Sequence, residues 1–208
     1  MRSPRIRIAA VGLAIGLAFG AAACGSNTKA ASTDGTTAST STSASLTSEN
    51  FGSGCAAVPT SGAGSFSGMA QDPAATAASN NPALSTLVAA VTAANLGDTL
   101  NGPGPFTIFA PSNDAFAKLP KATLDAVLAD PTGALTKILT YHVIAGKSLD
   151  AQALADAGTE KTVNGADVTI AESGDTITIN GQSAVVCGNV KTANATVQII
   201  DTVLMPPS

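Results

Sequence analysis

The 208-residue sequence has few of the side chains on which catalysis and electrostatic recognition depend. It contains no tryptophan, one tyrosine and one histidine, and only 12% of its residues are charged. The formal net charge is −4, and no cluster of basic residues follows the first seven positions. Nucleic-acid binding needs a dense basic surface, so this class of function is excluded. The shortage of aromatic rings also disfavours sugar binding by stacking.

Catalytic candidates are equally scarce, because His142 is the only histidine. A nucleophilic triad would need a nucleophile and a carboxylate around it, and the sequence has no nucleophile-elbow motif. We interpret His142 as a packed structural residue. Asp114 is expected in the first turn of a helix, and Asp201 beside a backbone amide or a cation. We expect no enzymatic activity.

Metal and cofactor sites are not expected either. The sequence has no Asp-rich loop of the calcium-binding type. Cys55 and Cys187 are expected to be bonded to each other, so they and the one histidine leave only oxygen ligands for a metal ion. The segment 101–105, Asn-Gly-Pro-Gly-Pro, is rich in glycine but has no lysine and reads as a turn rather than a phosphate-binding loop. We expect neither a metal nor a cofactor.

Residues 1–23 have the organisation of an export signal. Three arginines, at positions 2, 5 and 7, precede an apolar run from Ile8 to Phe19, and four small residues follow it. This order is typical of a cleavable signal peptide, and the run is shorter than the roughly 20 apolar residues of a membrane-spanning helix.

Cys24 stands directly after these small residues and is followed by Gly25 and Ser26. The arrangement resembles the lipobox of bacterial lipoproteins, in which this cysteine is acylated and becomes the new N-terminus. The resemblance implies a lipid anchor in the cell membrane, with the chain on the extracellular side. Two or more acyl chains hold a protein stably at a bilayer. Ala21 stands where leucine is usual, so secretion without an anchor remains an alternative, as does later shedding.

Residues 24–53 are dominated by serine, threonine and alanine. Such a segment has too few large apolar side chains to offset the entropy of ordering it, and we expect a disordered tether with a span of about 30 Å. Its hydroxyl groups also permit O-glycosylation. Residues 54–208 then have the length of one ordinary domain.

Cys55 and Cys187 are the two cysteines that remain if Cys24 carries lipid. In an oxidising compartment we expect them to form a disulfide, which would join the start of the domain to a late strand. Two free buried thiols are the alternative.

Hydrophobic spacing predicts a mixed α+β domain. Helices are predicted after the caps Asn81 and Ser112 or Asn113, and over Asp150–Ala157, which ends at Gly158. The predicted strands, several of them separated by Asn-Gly or Ser-Gly turns, are Phe106–Ala110, Thr140–Ile144, Val168–Ile170, Ile177–Ile179, Val185–Cys187 and Thr196–Leu204.

Three ordered segments resemble the signature of fasciclin domains. They are Phe106-Thr-Ile-Phe-Ala-Pro-Ser-Asn-Asp-Ala-Phe116, Tyr141-His-Val-Ile-Ala-Gly146 and Ile199-Ile-Asp-Thr-Val-Leu204. The resemblance covers about residues 68–206. Flanking segments, among them Met69-Ala-Gln-Asp-Pro73 and Val186-Cys-Gly188, are similar to the mycobacterial secreted-antigen and surface-lipoprotein branch of the family, and Cys55 and Cys187 match the disulfide of that branch.

This resemblance implies a fasciclin-like β-sandwich wedge with several helices packed on it, in a single domain. It also implies a non-catalytic role in adhesion or in contact with matrix, host-cell or envelope components. In animal relatives the tyrosine–histidine segment takes part in adhesion, which makes Tyr141 and His142 a possible interaction motif. The high aliphatic content suggests a second function, the carriage of small apolar ligands such as lipids.

Overall fold

The computed structural model describes residues 49–207. The expected signal peptide, Cys24 and all but the last five residues of the expected tether lie outside this range. The helices of the described residues are α1 (Phe66–Met69), α2 (Ala74–Ser79), α3 (Ser85–Ala93), α4 (Gly97–Leu100), α5 (Asn113–Ala117), α6 (Lys121–Ala129), α7 (Thr136–Tyr141) and α8 (Ala151–Ala157). The strands are β1 (Phe106–Pro111), β2 (Val143–Ala145), β3 (Thr159–Lys161), β4 (Asp167–Ser173), β5 (Thr176–Ile179), β6 (Ser183–Lys191) and β7 (Ala195–Ile200).

The seven strands form one sheet in the order β2-β1-β7-β6-β5-β4-β3. All neighbours are antiparallel except β1 and β7, which run parallel with Phe106 opposite Ala195 and Pro111 opposite Ile200. Every residue of β7 is buried, as expected for a strand covered on both faces.

The two faces of this central part of the sheet belong to different apolar cores. Successive strand residues point to opposite faces, so Ile108 and Ala110 of β1 join a core formed mainly with helices α1–α3, α5 and α7. Phe109, between them, joins a second core in which β4, β5 and α8 cover the other face. The predicted α+β wedge with helices packed on a sheet is therefore confirmed.

Capping residues fix the helices that the sequence predicts best. Ser112 Oγ accepts a hydrogen bond from the amide of Ala115 at 3.3 Å, and Asp114 lies in the first turn of α5. The carboxylate of Asp150 accepts from the amide of Ala153 at 2.9 Å and begins α8. Gly158 ends that helix with φ at +64°, a left-handed conformation that glycine adopts without strain.

The predicted strand Thr140–Ile144 is wrong over its first half. Helix α7 continues through Tyr141, and β2 begins only at Val143. Thr140 is held in the helix because its hydroxyl donates to the carbonyl of Thr136 at 2.8 Å. The last strand is also shorter than predicted and ends at Ile200.

Between residues 49 and 207, each helix is too short or too polar to span a bilayer.

Candidate functional site

Tyr141 is the last residue of α7, and its side chain is 2% exposed. The phenol donates a hydrogen bond to the carbonyl of Asp167 at 3.0 Å and accepts one from Nδ2 of Asn180 at 2.9 Å. The ring lies in the core beside β4 and β5, with both hydrogen-bonding functions of its hydroxyl engaged within the domain.

His142 follows it and is also 2% exposed. Nδ1 lies 2.8 Å from the carbonyl of Ile138, and Nε2 accepts from the amide of Leu204 at 3.0 Å. Only a neutral ring with its proton on Nδ1 makes both bonds. Burial lowers the pKa of His142 to about 4, although the bond to Ile138 acts in the opposite direction.

The Tyr141–His142 pair is therefore buried in the folded domain. Contact of either side chain with another molecule would require the chain around it to open. Both ring nitrogens of His142 are occupied by backbone groups, so neither is free to act as a general base. The arrangement joins α7 to β4, β5 and the segment after β7.

Asp201 has both of the partners that the sequence suggested. Its carboxylate accepts from the amide of Ala184 and from Nζ of Lys118, each at 2.8 Å. Burial acts to raise the pKa of Asp201, but these bonds, one from the Thr202 hydroxyl and the charge of Lys118 outweigh it, and the pKa lies below its usual value. Within the described part of the chain, no group of three or more His, Cys, Asp or Glu side chains could hold a metal ion.

Cys55 and Cys187 form a disulfide in the structure, with an S–S distance of 2.00 Å and their Cα atoms 4.7 Å apart. The bond attaches the short 3₁₀ turn Ser53–Ala57 to strand β6. Beside it the aromatic ring of Phe51 lies directly on Gly188, where any side chain would overlap the ring. The N-terminal entry of the domain is thus fixed to β6 by a covalent bond and by close packing.

A cavity of about 190 Å³ lies between α2, α3, α4 and the sheet, and we call it the α2–α3 cavity. Its floor is apolar and buried, and the residues that form it are Met69, Ala74, Ala77, Leu84, Leu87, Val91, Ile108, Ala110, Val190, Val197 and Ile199. An engineered apolar cavity of about 150 Å³ is large enough to bind benzene. The α2–α3 cavity therefore has room for part of an apolar ligand.

The sequence of α2 explains why this space is not filled. The helix reads Ala-Ala-Thr-Ala-Ala-Ser, and four of its residues that line the cavity are alanines. Core packing normally places large side chains opposite small ones. Here no side chain of α2 is long enough to fill the space in front of α3.

The cavity is open to solvent, and the polar lining side chains Ser79, Thr92 and Asn101 are exposed at its rim. The hydroxyl of Ser79 donates to the carbonyl of Ala75 at 2.7 Å, and that of Thr92 donates to the carbonyl of Val88 at 2.8 Å. Both hydroxyl protons are thus committed to the helices, and the oxygens keep lone pairs that can accept.

Asn194 holds the two sides of this opening together. Its Oδ1 accepts from the amide of Ala74 at 2.9 Å, and its Nδ2 donates to the carbonyls of Leu100 and Gly102, both at 2.8 Å. Asn194 formally begins an Asn-Ala-Thr glycosylation motif, but its amide is engaged in these three bonds.

A second, smaller cavity of about 60 Å³ adjoins the first. Leu87, Val91, Leu100 and Ile108 line both spaces, so these side chains form the partition between them. The inner wall of the second cavity includes His142 and Phe109.

One exposed apolar area also stands out. Leu128 of α6 is 45% exposed and Met205 is 47% exposed, and both line one surface depression together with Leu119, Leu124 and Val127. We call these five residues the α6 face. Helix α6 buries none of its residues fully, so its apolar side is only half covered.

Sequence reasoning raised a lipid pocket in general terms but did not locate the α2–α3 cavity. The available signal was the alanine run of α2 placed before the bulky apolar residues of α3, since small residues opposite large ones either interlock or leave space. The α6 face was not predicted, although Leu124, Val127 and Leu128 have the spacing of one face of a helix.

Comparisons with family models and with known proteins agree on one family. The Fasciclin domain family matches residues 82–206. The chain is 52% identical to the cell surface glycolipoprotein MPB83 of Mycobacterium bovis over 166 residues, which are 76% of this chain and 73% of the relative. It is 49% identical to the immunogenic protein MPT70 of Mycobacterium tuberculosis over 76% of this chain and 82% of the relative.

A solved structure has the same fold at low sequence identity. It is a FAS1 domain pair from the insect cell adhesion molecule Fasciclin I, with a TM-score of 0.56 and 18% identity. The match covers 66% of this chain, and this chain spans about half, 52%, of the insect one.

Proposed function

Because the chain belongs to the fasciclin domain family, we propose that it is a non-catalytic binding module displayed at the cell surface for adhesion or for contact with matrix, host-cell or envelope components. The observation that carries this proposal is the 52% identity, over most of both chains, to a relative named as a cell surface glycolipoprotein. The engagement of both His142 nitrogens by backbone groups supports the absence of catalysis.

Retention on candidate surfaces tests the adhesive role. The exported chain would be applied to host cells, matrix proteins and isolated envelope polymers, with an unrelated acidic domain of similar size as the reference. We expect stronger retention of the chain than of the reference. Equal retention on every surface would contradict the proposal.

The α6 face is the first place to look for the contact, because contiguous exposed apolar residues often mark interaction sites. The double variant Leu128→Lys, Met205→Lys should lose most of the retention. Ala89→Lys, an exposed position on α3, is the matched control and should retain it.

Anchoring through Cys24 is a separate part of the proposal. The wild-type chain should partition into the detergent phase of a membrane extract, whereas Cys24→Ser should be found in the medium or the aqueous phase. Detergent partition of the Cys24→Ser chain would show that another segment holds it at the membrane.

A second candidate function, the carriage of small apolar ligands, is favoured by the α2–α3 cavity. The protein purified from its own envelope, without exposure to added lipid, would be examined by native mass spectrometry. We expect bound mass in the range of a lipid, absent after denaturation. A spectrum of the apo chain alone would count against this function.

A further inference from the structure

We propose that the α2–α3 cavity binds a single-chain lipid with an uncharged head that donates hydrogen bonds, the chemistry of a monoacylglycerol. This inference rests on the carrier function proposed above and adds the class of ligand and its orientation. Four features of the described residues support it, namely the size of the space, its continuation, its hydrogen-bonding groups and its charge.

The size of the space favours one chain. Pockets for ordinary organic ligands have volumes of about 300–1,000 Å³. The α2–α3 cavity of about 190 Å³ and its neighbour of about 60 Å³ remain below this range even together. A lipid with two acyl chains does not fit, whereas the end of one chain does.

The arrangement of the two cavities gives the tail a direction. The buried floor lies against the sheet at Ile108 and Val197, and the second cavity continues on the far side of Leu87. The tail therefore enters between α2 and α3, and its end lies beside or beyond Leu87. The head is left at the polar opening.

The hydrogen-bonding groups at the opening favour a donor. The hydroxyl protons of Ser79 and Thr92 are used by carbonyls of their own helices, so the oxygens can only accept. Asn101 Oδ1 already accepts from the amides of Ala75 and Thr76. Asn101 Nδ2 donates one hydrogen bond to Oγ1 of Thr76 and has a second N–H. A ligand hydroxyl, which both donates and accepts, can therefore bond to the two hydroxyl oxygens as well as to this N–H, whereas a carboxylate, which only accepts, can bond to the N–H alone.

The charge of the opening also favours an uncharged head over a carboxylate. Among the described residues that line the α2–α3 cavity there is no lysine, arginine or histidine. Asp98 lies in α4 between the lining residues Gly97 and Leu100 and is exposed. A fatty-acid carboxylate would lose water here without gaining a cation, and the aspartate would repel it.

Three ligands with the same tail separate these contributions. The exported chain with Cys24→Ser, which has no thiol to acylate at that position, would be dialysed at about neutral pH against labelled monooleoylglycerol, oleate or methyl oleate, each below its micelle concentration. We expect monooleoylglycerol to bind with a Kd at least about tenfold lower than the other two, which corresponds to about 1.4 kcal/mol.

Variants locate the tail and the head. Ala77→Leu fills the cavity and should weaken all three ligands at least about tenfold, with Ala78→Leu as a second filling variant. Ala89→Leu on the exposed side of α3 is the matched control and should bind normally. The double variant Ser79→Ala, Thr92→Val should bind monooleoylglycerol no more tightly than the other ligands, and its Kd for methyl oleate should not change. The conservative variant Thr92→Ser should still prefer monooleoylglycerol. Near-ultraviolet circular dichroism checks that each variant is folded.

The outcomes are distinct. Binding of none of the ligands would overturn both the carrier function and this inference. Binding of oleate or methyl oleate as tightly as monooleoylglycerol would leave the carrier function standing and overturn the head-group assignment. Unchanged binding by folded Ala77→Leu and Ala78→Leu chains would show that the ligand lies elsewhere and would overturn the site.

Discussion

The ring of His142 accepts a hydrogen bond from the amide of Leu204, 62 residues later in the chain, with Nε2 and nitrogen 3.0 Å apart. The other ring nitrogen is bonded to Ile138 at 2.8 Å. One neutral imidazole thus fixes the segment after the last strand against the end of α7. Protonation of Nε2 removes the acceptor and places a charge in a buried position.

We expect the free energy of unfolding to fall as the pH is lowered from about 6.5 to about 4. The pKa of His142 in the folded chain, about 4, is below its usual value of 6.5, so the unfolded chain binds the proton first. The contribution is complete above pH 6.5 and is lost on acidification, with a maximum of about 3 kcal/mol.

Urea denaturation at several pH values measures this effect. The His142→Gln variant should be less stable at neutral pH, but its free energy of unfolding should not change between a pH of about 6.5 and a pH of about 4. The carboxylate of Asp201 has a lowered pKa, so its own contribution is lost at still lower pH and does not obscure the result. An equally steep decline in His142→Gln would contradict the assignment.

Replacement of Tyr141 by phenylalanine tests whether this residue stabilises the fold or contacts a binding partner. Tyr141→Phe leaves the carbonyl of Asp167 and Nδ2 of Asn180 without their partner, and we expect a loss of stability of about 1–3 kcal/mol. Retention on a binding surface should not change, because the side chain is buried. Lost retention at unchanged stability would instead make Tyr141 a contact residue.

Removal of the disulfide should destabilise the domain strongly. The bond between Cys55 and Cys187 closes a loop with a sequence separation of 132, and the chain-entropy argument gives about 4–5 kcal/mol. Cys55→Ala, Cys187→Ala should lower the urea midpoint, and a reducing agent should do the same to the wild-type chain. Cys24→Ala is the control and should keep the wild-type midpoint.

Asn194→Ala should loosen the opening of the α2–α3 cavity. The substitution removes the bonds to Ala74, Leu100 and Gly102, and we expect a loss of about 2 kcal/mol. Hydrogen exchange at the amide of Ala74 should become faster. Asn194→Asp keeps the acceptor for Ala74 and should protect that amide, although it loses the two donated bonds. Unchanged exchange in Asn194→Ala would contradict this role.

Much of the fold was accessible from local patterns because caps, turns and periodic apolar residues act over a few positions. Ser112, Asp150 and Gly158 mark helix ends by their own hydrogen bonds or backbone angles. Helices α1, α2 and α4 were not predicted, since their short segments consist largely of small or polar residues without a clear apolar period. These helices form because the sheet and α3 offer them a surface.

The candidate site was less accessible because it depends on relationships between distant residues. Tyr141 belongs to a β-rich run, Thr140–Ile144, whose composition favours a strand, yet tertiary packing keeps it in α7. The α2–α3 cavity combines the alanines of α2 with Val197 of a strand more than one hundred residues later. Patterns read from a sequence relate residues a few positions apart, so they do not show that these two segments meet.

The parallel pairing of β1 with β7 has a consequence for how the chain matures. β1 lies between β2 and β7, and β7, its partner on one side, is the last of the described strands and follows β1 by more than eighty residues. A nascent chain that has not yet released residues 195–200 cannot complete the centre of the sheet or separate its two cores. Pairings between such distant segments form slowly. The centre of the sheet is therefore completed only when β7 is present, and a chain cut before residue 195 would leave β1 without one of its two partners.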